Sequence, residues 1–204
     1  MAETQEQKYE FGFATFTFDE GTENELRFDG KLCEDGSYMQ AEGGELELTP
    51  ITEEIELPEL GGGVFDHIQT GWEGSLKIVG SKASLDLISK TISGTISFDE
   101  EGKVVSVTDA PVGSSLREKG RKVRIHPRQL GNDTSEDFVI HKVINTGGIT
   151  KTYQNEQGQH EMEFVILPKD CADANKPNNY FYIGKDPEQF IEGDEEETEG
   201  EGTP

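Results

Sequence analysis

DFVIHKVINTGGITKTYQNEQGQHEMEFVILPKD, Asp137 to Asp170, is the stretch on which the fold turns. Asp137–Asn145 and Gln159–Leu167 are rich in β-branched and aromatic residues and read as strands, with a shorter strand over Ile149–Gln154 between them. Thr146-Gly147-Gly148 and Asn155-Glu156-Gln157-Gly158 supply the glycine and asparagine that tight turns place at positive φ. The outer strands carry apolar residues at both parities. Phe138 and Ile140 oppose Val139 and Val143, and Met162, Phe164 and Ile166 oppose Val165 and Leu167. A strand apolar on both faces is covered on both faces, which predicts a sheet inside a sandwich or an assembly.

The rest of the chain supports one mainly-β domain over residues 9–187, between a flexible N-terminal arm (1–8) and an acidic, disordered tail (188–204). Tyr9–Phe18 is predicted as an aromatic-rich strand with Leu26–Phe28 as its partner, and Leu32–Gly44 as an extended loop. Glu45–Leu48 and Glu54–Leu57 read as two alternating strands bounded by Pro50 and Pro58, each with its glutamates on one face. Gly61-Gly62-Gly63 is a break, and Gly71–Val79 a strand anchored by Trp72. The one helix is predicted over Ser81–Ser89, with Ser81 as N-cap and Leu85 and Ile88 as its buried stripe. Thr91–Phe98 and Lys103–Val107 form a hairpin, Lys122–His126 a further strand, and Tyr180–Ile183 a last edge strand after an Asn- and Pro-rich loop.

Composition narrows the function classes. The formal net charge is −24, and seven carboxylates between Glu192 and Glu201 account for part of it. A body this acidic repels nucleic-acid phosphate. Salt adaptation is a second account of the charge, but lysine outnumbers arginine thirteen to five. The polar start MAETQEQKYE lacks the basic end and apolar core of a secretory signal, so Cys33 and Cys171 are expected to be free thiols.

No reaction chemistry is legible. His67, His126, His141 and His160 are isolated from one another, and no metal motif is present. Gly74–Lys82 has the wrong spacing for a phosphate loop, with Ser81 where the lysine belongs, and the acidic loops at Asp19 and Asp170 lack calcium-loop spacing. The expectation is a non-enzyme with no catalytic residue, cofactor or metal.

Charge segregation is the informative pattern. Arg117, Lys119, Arg121, Lys122, Arg124 and Arg128 are six of the eighteen basic residues within twelve positions. Alternation puts Lys122, Arg124, His126 and Arg128 on one face of a strand and Val123 and Ile125 on the other. Such a strip can pair with acidic neighbours in its own sheet, meet the acidic strands of a second copy head to tail, or, least compatibly with the field around it, bind nucleic acid.

Together, the Asp137–Asp170 stretch and the preceding GWEGSLKIVGSKASLDLISKTISG (71–94) resemble the major tail tube protein of long-tailed bacteriophages. The resemblance is one of pattern over roughly Tyr9–Lys185, carried by scattered residues. It implies a β-sandwich or barrel with one short flanking α-helix, forming hexameric rings that stack into a hollow tube through which DNA passes without specific binding. It further implies tail terminator, tape measure and baseplate or tip proteins as partners, no membrane, synthesis in the host cytoplasm and residence in the virion tail. On that reading Glu45, Glu47, Glu54 and Glu56, then Glu161 and Glu163, are the candidates for an acidic lumen, and the basic strip for subunit contacts. The alternatives are a monomeric β-sandwich binding module, with Trp72, Tyr180 and Tyr182 as a sugar platform or with a calcium-dependent partner, and another virion β-protein such as a head–tail connector or decoration protein.

Overall fold

The structure, a computed structural model, describes residues 12–31, 36–151 and 158–188. The N-terminal arm and nearly all of the acidic tail lie outside these residues, as do Cys33 and residues 152–154 of the short strand expected over Ile149–Gln154, whose described half, 149–151, is not strand.

Among the described residues the fold is mainly β with one α-helix. Strands β1 (Ala14–Phe18), β2 (Leu26–Phe28), β3 (Glu45–Leu57), β4 (Gly63–Gly80), β7 (Arg121–Pro127), β8 (Phe138–Asn145), β9 (His160–Leu167) and β10 (Phe181–Ile183) form one antiparallel sheet. Its order is β2-β1-β7-β8-β9-β4-β3, with β10 on β8. β5 (Thr95–Phe98) and β6 (Val104–Thr108) pair separately beside α1 (Leu85–Thr91). Residues 36–41 bridge β2, at one end of the strand order, to β4, next to the other end. Arg27 N donates to Gly36 O (2.6 Å) and Tyr38 N to Arg27 O (2.7 Å), and Ala41 N then donates to Val79 O (2.8 Å). This segment, expected as loop, therefore closes the sheet.

Inside lie Phe16, Phe18, Leu26, Phe28, Leu76, Ile78, Val123, Ile140, Val143, Met162 and Phe164, with Leu87 of α1 joining them. The helix begins three residues later than expected. Ser84, not Ser81, is the N-cap, its Oγ accepting from Leu87 N at 3.2 Å. Ile88 is buried as expected, but its companion is Leu87, 1% exposed, rather than Leu85, which is 45% exposed.

The double-sided apolarity of the deciding stretch has two causes. In β8, Arg121 faces Val143 and Val123 faces Ile140, so His141 and Lys142 stand against Lys122 alone. This bulge reverses the parity and turns both Ile140 and Val143 into the core. β9 alternates cleanly instead, with Met162, Phe164 and Ile166 buried, Glu161 and Glu163 exposed, and Val165 and Leu167 half-buried. β8 pairs with β9 through Lys142–Asn145 and with β10 through Phe138–Ile140. β9 and β10 thus run along one line, interrupted by the excursion of residues 168–180.

The two acidic strands expected on either side of Pro50 are one strand, and Gly61-Gly62-Gly63 is the tip of its hairpin. After the 3₁₀ turn Pro58–Leu60, Gly61 (φ 85°) and Gly62 (φ 75°) take positive φ, and β4 starts at Gly63 rather than Gly71. Pro50 is tolerated because β3 is an edge strand paired only with β4, so a missing N–H need not break the ladder.

Candidate assembly surface

β3 and β4 are longer than the body they belong to. β9 supports β4 only from Ser75 to Gly80, so Gly63–Gly74 pair with β3 alone. The outer halves of the two strands project as a two-stranded ribbon, in which the seven residues Ile51–Leu57 extend roughly 20 Å. Every residue from Gly61 to Thr70 is exposed. A lone two-stranded ribbon is marginal in water unless a hydrophobic face is covered, and this one carries apolar residues with no third layer. Phe65 is 65% exposed, and Val64, Ile68 and Ile51 are each more than two-fifths exposed.

Bulges shape this arm. Register shifts between Ile51/Thr52 and Ile55/Glu56 place Thr70 and Phe65 as extra residues on β4 and leave the alternation of β3 unbroken. Ile51, Ile55 and Leu57 consequently share one face, and Ile68, opposite Glu53, lies on it too. The segment Val64–Thr70 was missed as strand, although its β-branched and aromatic residues between the triple glycine and Trp72 carried the signal.

The same alternation divides the acidic candidates. Glu45 faces Lys77, which faces Glu163; Glu47 faces Ser75, which faces Val165; Val79 faces Glu161. Glu45, Glu47, Glu161 and Glu163 therefore lie on one exposed sheet face, the side away from the core residues Leu76 and Phe164, and Glu73, opposite Thr49, extends it. Glu54 and Glu56, an odd number of residues away along β3, lie on the other face of the arm, opposite His67 and Val64. Lys77 is the cation in the middle of the acidic face. Its ammonium pairs with Glu161, and this hydrogen bond and charge, with Glu45 and Glu163 behind, raise its pKa. The pair is exposed and contributes little to stability.

Most of the basic strip is engaged within the subunit. Arg117 donates to Pro168 O (2.9 Å) and Lys169 O (3.0 Å) and pairs with Asp170. Lys119 reaches Ser93 O at 2.9 Å, and Arg121 reaches Lys90 O at 2.9 Å and Asp19 at 2.6 Å, so both serve carbonyls at or just beyond the end of α1. Arg124 pairs with Asp137 and Glu20, and Arg128 donates to Phe28 O and Thr15 Oγ1. Val123 and Ile125 are buried behind them, as the alternation predicted. Lys122 differs: its ammonium lies 6.0 Å from the Tyr182 ring, with no carboxylate partner among the described residues.

Among the described residues no group of three or more His, Cys, Asp or Glu side chains could hold a metal ion. The histidines serve other partners. His126 bridges Asp137 (2.6 Å) and Gly131 O (3.0 Å), His141 meets Asn178 Oδ1 (2.6 Å), and His160 is buried against Thr91. No described helix is long and apolar enough to cross a membrane. Scanned against known families, the chain matches no family model, and no curated protein matches it.

Proposed function

We propose that the chain is a self-assembling structural subunit of the tail-tube type, forming stacked hexameric rings around a DNA passage in a bacteriophage tail, and that it is not an enzyme. The observation that carries the reading is the unsupported arm. Ile51, Val64, Phe65 and Ile68 sit on a ribbon that its own subunit leaves uncovered. Covering what remains exposed of each is worth roughly 1 kcal/mol, and together they make a second copy the natural cover. A contact between the arm of one copy and the body of the next is heterologous, and repeated it gives rings or filaments.

The acidic face supplies the second half of the reading. Five carboxylates around one lysine on a broad, exposed sheet face suit a wall past which DNA slides. Duplex DNA carries about one negative charge per 1.7 Å, and such a wall repels it over the roughly 8 Å that physiological salt allows. Glu45, Glu47, Glu161 and Glu163 belong to that wall; Glu54 and Glu56 belong to the arm and its contacts. Electron microscopy of the purified protein at rising concentration tests the proposal. Rings or tubes are expected, and their loss in an Ile51→Ser/Phe65→Ser/Ile68→Ser variant that keeps the thermal transition of the parent. A protein that stays monomeric at every concentration, with or without other tail proteins, would rule it out.

A further inference from the structure

At the base of the arm, where β4 parts from the line of β9 and β10, the excursion of residues 168–180 leaves an open groove of about 590 Å³. Trp72, Tyr180 and Phe181 line it, with Phe181 set edge-on to the indole at 5.1 Å. Gln69 and Asn178 add side-chain amides, and Lys176 is the one charged residue of the lining. In a chain of net charge −24 this groove has no carboxylate among the described residues that line it.

The groove is built, not incidental. Asn179 ties the excursion together, its Nδ2 donating to Asp173 O (2.8 Å) and Lys176 O (2.7 Å). Asn178 holds a φ of 64°, a left-handed conformation that asparagine adopts more readily than most residues with a side chain. Its Oδ1 is occupied by His141 Nε2 at 2.6 Å, while its Nδ2 is buried with no partner among the described residues. An aromatic groove whose wall is tied down by these hydrogen bonds is what a pre-formed binding site looks like.

We propose that this groove binds a neutral saccharide. Its aromatic side chains present apolar surface to the C–H faces of pyranose rings, the exposed Gln69 amide offers a donor and an acceptor to hydroxyls, and a lining nearly free of charge suits a neutral ligand. Of the residues first grouped as a sugar platform, Trp72 and Tyr180 line this groove, whereas Tyr182 lines a separate charged cleft with Lys122 and Arg124. The site is independent of the assembly role.

Trp72 is the only tryptophan, so the fluorescence of the intact protein reports the groove directly. The experiment titrates it with short neutral α- and β-glucans, mannans and chitin oligosaccharides, with oligogalacturonate as the charged control, and repeats the titrations by calorimetry. At least one neutral oligosaccharide is expected to give a saturable change that oligogalacturonate does not. Tyr180→Ala should weaken that binding about tenfold or more, equivalent to about 1.4 kcal/mol, and Gln69→Ala, at an exposed position of the lining, should weaken it with the thermal transition kept. Failure of every neutral oligosaccharide to bind, equal binding of the charged control, or binding unchanged by Tyr180→Ala would overturn the proposal. A Trp72 signal that changes with protein concentration alone would also overturn it, by assigning the groove to a second copy.

Discussion

Arg124 of β7 and Asp137, the residue before β8, form an ion pair in which the carboxylate is 1% exposed and accepts from Arg124 Nε at 2.7 Å. The same carboxylate accepts from His126 Nδ1 at 2.6 Å, and the Asp137 carbonyl accepts from Gly184 N at 2.8 Å. One buried aspartate thus ties the basic strand to the line of β10. Removing Asp137 takes hydrogen bonds to a charged group from both Arg124, which keeps Glu20, and His126, at a cost of about 1.5–3 kcal/mol. Asp137→Ala is therefore expected to lower the thermal midpoint by many degrees. Lys122→Glu, one residue pair away on the exposed side, should leave the midpoint nearly unchanged. Equal effects in the two variants would show that the strip is not held from within, and charge reversal at Arg121 or Arg124 is a test of folding before it is one of assembly.

Gly74 stands where β4 leaves β9. A Cβ there would lie 2.4 Å from Glu47 O and 2.9 Å from Ile166 Cδ1. The backbone of β3 cannot move aside without breaking its ladder, so Gly74→Ala should destabilise by about 1–3 kcal/mol. Chemical denaturation measures this directly. Gly61→Ala at the arm tip meets no neighbouring atom, although its positive φ adds strain, and its cost should be the smaller.

His160 is buried, and that burial, reinforced by the charge of Lys151, lowers its pKa from 6.5. The unfolded chain takes up a proton near 6.5 and the folded chain does so only at lower pH, so stability is lost as pH falls below about 6.5. Asp170 does not contribute in this window. Lys142 and Arg117 hold its carboxyl below 3.8, and its share is lost only in stronger acid. The midpoint should fall between pH 7.5 and pH 5.5, and the fall should be smaller in His160→Leu. Parallel pH profiles for the two proteins would exclude this histidine as the cause.

The acidic face makes a prediction about DNA. Changing Glu45, Glu47, Glu161 and Glu163 to Gln together leaves the core residues behind them untouched and should preserve both folding and assembly. If these carboxylates line a passage, the variant assemblies should retain DNA at low salt where the parent assemblies do not, in a co-sedimentation assay. Glu54→Gln/Glu56→Gln should not share the effect, because these side chains lie on the other face of the arm. An identical response from both sets would disconnect the face from any lumen.

Local alternation and turn chemistry are carried by neighbouring residues, and to that extent the chain is legible without its structure. The mainly-β class, a strand over Lys122–His126 with Val123 and Ile125 inward, the partnership of Leu26–Phe28 with β1, and a short helix after β4 all follow from them. What alternation cannot convey is where one strand ends and which partner lies beside it. Pro50 reads as a boundary in sequence and is harmless on an edge that only the tertiary arrangement creates. Ile140 and Val143 share the core because a bulge against Lys122 shifts the parity between them, and that bulge exists only once β7 lies alongside. The six glutamates look alike in sequence. They separate into a sheet face and an arm because β3 runs unbroken past the end of the body, a length set by pairing with β4. The basic strip is visible as a run of charge, but its partners Asp19, Glu20, Asp137 and Asp170 are brought to it by folding, since ion pairs form by distance in space and not along the chain.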